Sequence, residues 1–163
     1  MQNETLLPAD RYVVINKSIL SDTDRNILIN LYEPLIGPLA VSLYFTLWND
    51  LGTYSIISSD LTHHHLMVVL KSGINSIKIA RESLESFGLI KSYIKNGEIN
   101  DYIYELYSPL TPAEFFNHPI LNIVLYNNVG EKEYNHLKDK YKMPKIDLRD
   151  YEEVTKKLDN VFD

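Results

Sequence analysis

The chain has no cysteine among its 163 residues. That excludes a disulfide framework and a cysteine nucleophile, and it fits a reducing cytoplasm. Glycine is scarce, at 6 residues. No glycine-rich phosphate loop, no GxSxG and no helical metal-ligand pair occurs, so the chain reads as non-enzymatic and cofactor-free. No apolar run reaches the roughly 18–20 residues that a bilayer span needs. The uncharged run Pro34–Trp48 is 15 residues long and is interrupted by Pro38. The opening MQNETLLPAD lacks the basic start and apolar stretch of a secretory signal. A strongly basic segment is missing too. Residues 1–60 hold 3 basic and 7 acidic side chains, 61–108 hold 5 and 5, 109–130 hold 0 and 1, and 131–163 hold 8 and 9. With a net charge of −6 the chain offers no broad electrostatic footprint for nucleic acid.

Hydrophobic residues make up 45% of the chain, enough for a packed core. YVVI (12–15) is short and β-branched and predicts a strand. Ser21 and the carboxylates of SDTD predict a helix start, and Ile27, Leu28, Leu31 and Tyr32 follow as one apolar stripe. Pro34 is expected to close that helix and Pro38 to open the next, making PLIG a tight corner. From Leu39 to Leu51 only Ser42, Thr46, Asn49 and Asp50 are polar, and they share a narrow strip. This second helix must be covered on most sides.

Residues 62–70 predict a short helix and about 74–87 a longer one, with Ile74, Ile77, Ala80, Leu84 and Phe87 on one face. LIKSYIK and YIYELY predict two strands around the turn-rich NGEIND. Helix, turn, helix, strand, loop, strand is the order of a winged helix. LTPAEFF opens another helix through a capping box at Thr111 and Glu114. Two further helices end at Gly130 and near Tyr141, the second presenting Tyr134, Leu137 and Tyr141 on one side. Tyr151, Val154, Leu158 and Val161 form a weak amphipathic stripe. The expected class is α+β and mainly helical, a winged-helix core with a small β wing and additional C-terminal helices. Residues 1–108 make the winged-helix domain with an N-terminal strand and an extra helix. Residues 109–141 are a helical extension packed on it, and 142–163 a weakly structured or helical tail.

His63, His64 and His65 invite a metal reading. Consecutive helical positions diverge by about 100°, so three neighbours cannot converge on one ion, and no partner sits four residues away. They read instead as a solvated first turn. On the second helix of the winged motif, Asn75, Lys78, Ile79, Glu82, Ser83 and Ser86 lie opposite the apolar face. Only Asn75 and Lys78 suit base or phosphate contact there, joined by Lys91 and Lys95 near the wing, and Glu98 and Asp101 offset these. A DNA-binding regulator is therefore the second reading. The 12 tyrosines favour a different use. Tyr44, Trp48, Tyr102, Tyr104, Tyr107 and Tyr126 are too many for one small core, and surplus aromatics favour self-association or a partner. The expected oligomer surface is Tyr32, Leu35, Ile36, Tyr44 and Trp48.

LYEPLIGPLAVSLYFTLW resembles a signature, LYxPLIGxxAxxLYxxLW, of the DnaB replication initiation and membrane attachment proteins of low-GC Gram-positive bacteria. The related DnaD proteins carry a looser version. LLPAD before YVVI, then THHHLM, LESFGLIKSYIK and YELYSPLTPAEFFNHPILNIVLYNNVG, resemble further family segments in order. The likeness covers about residues 6–141. It implies a winged helix used mainly for oligomerisation, as a dimer or tetramer, in a helicase-loading primosome protein with no catalytic residues. It also implies primosome proteins and a helicase loader as partners, with DNA held mainly by domains beyond this segment. The setting would be cytoplasmic and nucleoid-associated, with peripheral membrane association on the family's label alone.

Overall fold

The computed structural model describes residues 4–16, 18–52, 57–142, 144 and 146–161. Four strands form one sheet in the order β2-β1-β4-β3. β1 (Arg11–Asn16) lies parallel to β4 (Asp101–Leu106), pairing from Arg11 with Asp101 to Asn16 with Leu106. β3 (Ile90–Lys95) and β4 form the antiparallel wing. The two-residue β2 (Leu61–Thr62), which the sequence reading misses, closes the other edge against β1. Alternation decides the faces. Tyr12, Val14, Tyr102, Tyr104 and Leu106 point into the core, while Ile103 points out.

Pro34 does not close the first helix. α1 (Asp22–Ile27), capped by the Ser21–Asp24 box, runs into a π turn over Leu28–Tyr32 and then into α2 (Glu33–Ile36). An interior proline has no N–H and its ring crowds the carbonyl four residues back. The wider π turn, with the Glu33 N–H bonded to the Leu28 carbonyl, admits it without ending the helix. The break comes at Gly37, whose φ of +85° and ψ of +165° belong to a region almost restricted to glycine. The Gly37 N–H bonds to Glu33 O, and Gly37 O accepts from Val41, so one residue joins two helices.

α3 (Pro38–Asp50) is the hub. Ala40, Val41, Leu43, Tyr44 and Leu47 are buried, and Leu39, Phe45 and Trp48 are partly covered. α3 packs on β1, on α4 (His63–Leu70) and on α5 (Ile74–Ser86). Each fully buried large side chain here is worth about 1.5–3 kcal/mol. α6 (Pro112–Asn117), α7 (Leu121–Val129) and α8 (Glu131–Lys140) join the same cluster through Phe115, Leu125, Tyr134 and Leu137. Phe115 meets Tyr32 edge-on at 5.2 Å, and the Asn30 amide donates to the Tyr141 hydroxyl at 2.9 Å. Among the described residues of the tail expected to carry an amphipathic stripe, only α9 (Leu158–Val161) is helical. Among the described residues no helix is long and apolar enough to cross a membrane.

Candidate interaction surfaces

The histidine triplet is not a solvated turn. Thr62 is extended and swings His63 beneath the sheet, where it is fully buried. Its Nδ1 lies 2.6 Å from the Asp10 carbonyl and its Nε2 lies 2.6 Å from the Tyr104 hydroxyl. A carbonyl only accepts, so Nδ1 carries the proton and Nε2 accepts from Tyr104. Both ring nitrogens are taken. Burial holds the imidazole below its ordinary range, with the Asp10 hydrogen bond working the other way. The rings of Tyr12, Tyr102 and Tyr104 enclose it at 5.1–5.7 Å. His64 is exposed, and His65 bonds to Asp50 at 3.1 Å. The same Asp50 accepts from the Tyr12 hydroxyl at 2.6 Å. His63 shares its stripe with Leu66, Met67 and Leu70, and that spacing was the available sign of burial.

Two further buried polar groups carry no sequence signal. Asp10 is 2% exposed and accepts from the backbone N–H of Leu7 and of Asn100, tying the N-terminal segment to the wing. Arg81 is 4% exposed, stacks over Tyr102 at 5.5 Å, and is paired with Glu4 and Glu85. Tyr102 donates to Glu4 as well, and Lys78 Nζ donates to the Glu4 carbonyl. The segment around Glu4 is therefore strapped onto α5.

This placement decides which surfaces remain. Of the residues read as DNA contacts, Asn75, Lys91 and Lys95 are exposed, while Lys78 is half-buried and engaged by Glu4. Lys91 stands opposite Glu105 in the wing register and lies over the Tyr107 ring at 5.3 Å. Lys95 stands opposite Asp101, which Arg11 binds at 2.8 Å. The outward face of α5 centres on Ile79, 65% exposed. Of the residues read as an oligomer surface, Tyr32 and Tyr44 have no surface to offer a second copy. Both are fully buried within one chain, Tyr32 accepting from the Leu110 N–H at 3.0 Å and Tyr44 donating to the Tyr107 carbonyl. The reading of surplus aromatics needs the same correction for Tyr102 and Tyr104, because the sheet supplies a second buried wall. Leu35, Ile36 and Trp48 are half-buried. α2 packs against α7, which exposes Ile123 and Tyr126, with Ile120 exposed just before it.

A helical pair, α4 and α5, is followed by the antiparallel β3–β4 wing, and β1 lies parallel to β4. The family described as DnaB N-terminal winged helix domain matches residues 6–163. The chain belongs to that family. The match runs beyond residue 141, so it also includes the tail in which no likeness was legible. The replicative helicase loading/DNA remodeling protein DnaB of Staphylococcus aureus (strain NCTC 8325 / PS 47) is 31% identical over 158 residues, which is 96% of this chain and 34% of that protein. The crystal structure of primosome protein DnaB, residues 1–300, from Geobacillus stearothermophilus superposes with a TM-score of 0.87 at 34% identity. That superposition covers 96% of this chain and 59% of the other. The chain thus spans about a third of the curated DnaB relative it matches.

Proposed function

We propose that this winged-helix domain is a non-enzymatic primosome component, the N-terminal interaction module of a helicase-loading replication initiation protein. It works in the cytoplasm at the nucleoid, by bringing copies of itself and other replication proteins together. The observation that carries the reading is the likeness to the S. aureus helicase-loading DnaB over 96% of the chain. The surface chemistry supports it. The recognition-helix face is apolar at Ile79, the wing lysines stand opposite carboxylates, Leu35 and Ile36 on α2 are only half-buried, and α7 exposes Ile123 and Tyr126. Leu35, Ile36 and Trp48 contribute to self-association from their half-buried positions, with Tyr32 and Tyr44 supporting them from inside. The helicase loader and other primosome proteins are the expected partners, and no chemistry is performed here.

Multi-angle light scattering across the micromolar range tests the reading. A dimer or tetramer is expected, and a strict monomer throughout would overturn the self-association it depends on.

A further inference from the structure

The segment before β1 crosses the helical pair of the winged motif. Leu6 is buried, and the Asp10 carboxylate accepts from the Leu7 and Asn100 amides. The Asp10 and Pro8 carbonyls accept from the His63 and His64 amides at 3.0 Å. A helix leaves its first N–H groups unpaired, so this segment supplies the cap for α4 that the Thr62 side chain does not. Among the described residues Leu6 is the last buried one toward the N-terminus. Glu4 lies two residues beyond that anchor, and its side chain is 29% exposed.

What Glu4 touches is fixed by the fold. Lys78 and Arg81 are the two cations of α5. Arg81 is buried over the Tyr102 ring and needs a counter-charge, because an unpaired buried guanidinium is costly. Glu85 lies 3.5 Å from its Nε but is too poorly aligned to accept that hydrogen. The two Nη groups form a fork on the Glu4 carboxylate, Nη1 at 3.3 Å, and the Tyr102 hydroxyl donates to the same carboxylate. Lys78 Nζ stands beside them and donates to the Glu4 carbonyl instead. Four donors thus face a group with two oxygens. A guanidinium fork fits a carboxylate and a phosphate alike, and a phosphate has oxygens enough for all four. Charge points the same way. Lys78 and Arg81 balance Glu4 and Glu85, and lifting Glu4 leaves one positive charge uncompensated.

We propose that Arg81, Lys78 and Tyr102 form a phosphate-binding site on the flank of α5, closed by the Glu4 carboxylate, which occupies the phosphate's place. Leu6 and Asp10 hold the rest of the segment, so Glu4 lifts without uncapping α4. The site does not depend on self-association. Its phosphate arrives either free or as part of a nucleic-acid backbone, and the two arms of the test tell these sources apart.

Glu4→Ala opens the site, and Glu4→Gln, which keeps the shape, takes its place if the alanine variant does not fold. The first arm is thermal unfolding of the whole chain in inorganic phosphate and in chloride at equal ionic strength. Phosphate at several times its dissociation constant should raise the melting temperature of Glu4→Ala by about 2–4 °C more than that of the unsubstituted chain. The unsubstituted chain corrects for the general stabilising effect of phosphate. Adding Lys78→Ala should remove most of the excess. The second arm is fluorescence anisotropy of a short labelled DNA duplex. Binding to Glu4→Ala that is about fivefold tighter or more, weakens with salt and is lost on adding Lys78→Ala assigns the site to backbone phosphate. A phosphate-specific rise in melting temperature without that gain assigns it to free phosphate. An equal response of both chains to phosphate, with no gain in duplex binding, would overturn the site.

Discussion

At the residue scale, His63 shows how a polar side chain becomes structural. Its neutral, Nδ1-protonated form satisfies the Asp10 carbonyl and the Tyr104 hydroxyl at once. Protonation would turn Nε2 into a donor toward a hydroxyl that already lies beside the Arg81 guanidinium. The folded imidazole is held below its ordinary value of 6.5, so between the two values the unfolded chain binds more protons. The resulting stability is complete above about pH 6.5 and is lost as pH falls below it, by up to about 1.4 kcal/mol per pH unit. Urea melts at pH 7.5 and 5.5 should show that loss. His63→Gln should reduce the slope, and the exposed His64→Gln should not. A slope unchanged by His63→Gln would remove the titration from this ring. Gly37 is the second decisive residue. An alanine there would have to adopt a φ of +85° with a ψ of +165°, so Gly37→Ala should destabilise by about 1–3 kcal/mol in denaturant unfolding. No atom stands within 4 Å of the added Cβ, so the cost is conformational and not a clash. A loss within error of zero would mean that the corner re-forms by another route.

At the scale of elements, the helix starts were legible because capping is local. Thr111 accepts from the Glu114 N–H, and Glu114 accepts from the Thr111 N–H, as the capping box requires. Those bonds also hold the Glu114 carboxyl below its usual range. Thr111→Ala should cost about 1 kcal/mol by thermal or urea unfolding and fray α6 first. Because Phe115 anchors that helix against Tyr32, the effect should spread to the extension and not stay at one turn. The strands were legible for a similar reason, since the period of two in YIYELY places Tyr102, Tyr104 and Leu106 on one face. The π turn was not legible. Pro34 by itself announces an interruption, and whether the helix ends or widens depends on what Leu31 and Tyr32 can bury around it. β2 escaped notice because two residues carry no period, and it exists through its pairing with Arg11 and Tyr12.

At the scale of the whole molecule, the apolar surfaces and the net charge of −6 predict the salt response. Association through apolar side chains should hold or strengthen as salt rises, because screening reduces repulsion between like-charged copies. Duplex binding through a basic surface would instead weaken steeply. Sedimentation at low and high salt separates the two, and self-association that collapses with added salt would contradict an apolar interface. The candidate site was only partly legible at this scale. Leu35, Ile36 and Trp48 were expected on an oligomer surface, and they are half-buried. Tyr32 and Tyr44 were expected beside them and lie inside. Apolar content says that a side chain needs cover, not which neighbour supplies it.

The sequence by itself determined the order of helices and strands apart from β2 and the π turn with α2, the capping boxes, the apolar hub from Pro38 to Asp50 and the family. Each of these depends on spacing along the chain or on residue identity at fixed offsets. The tertiary structure alone decided that His63, Asp10 and Arg81 are buried and paired, that Lys78 is held by Glu4, and that α7 faces outward without charge. Those outcomes join residues up to 90 positions apart. Whether a polar group meets a partner or water follows from which distant segment packs against it, and no local pattern records that.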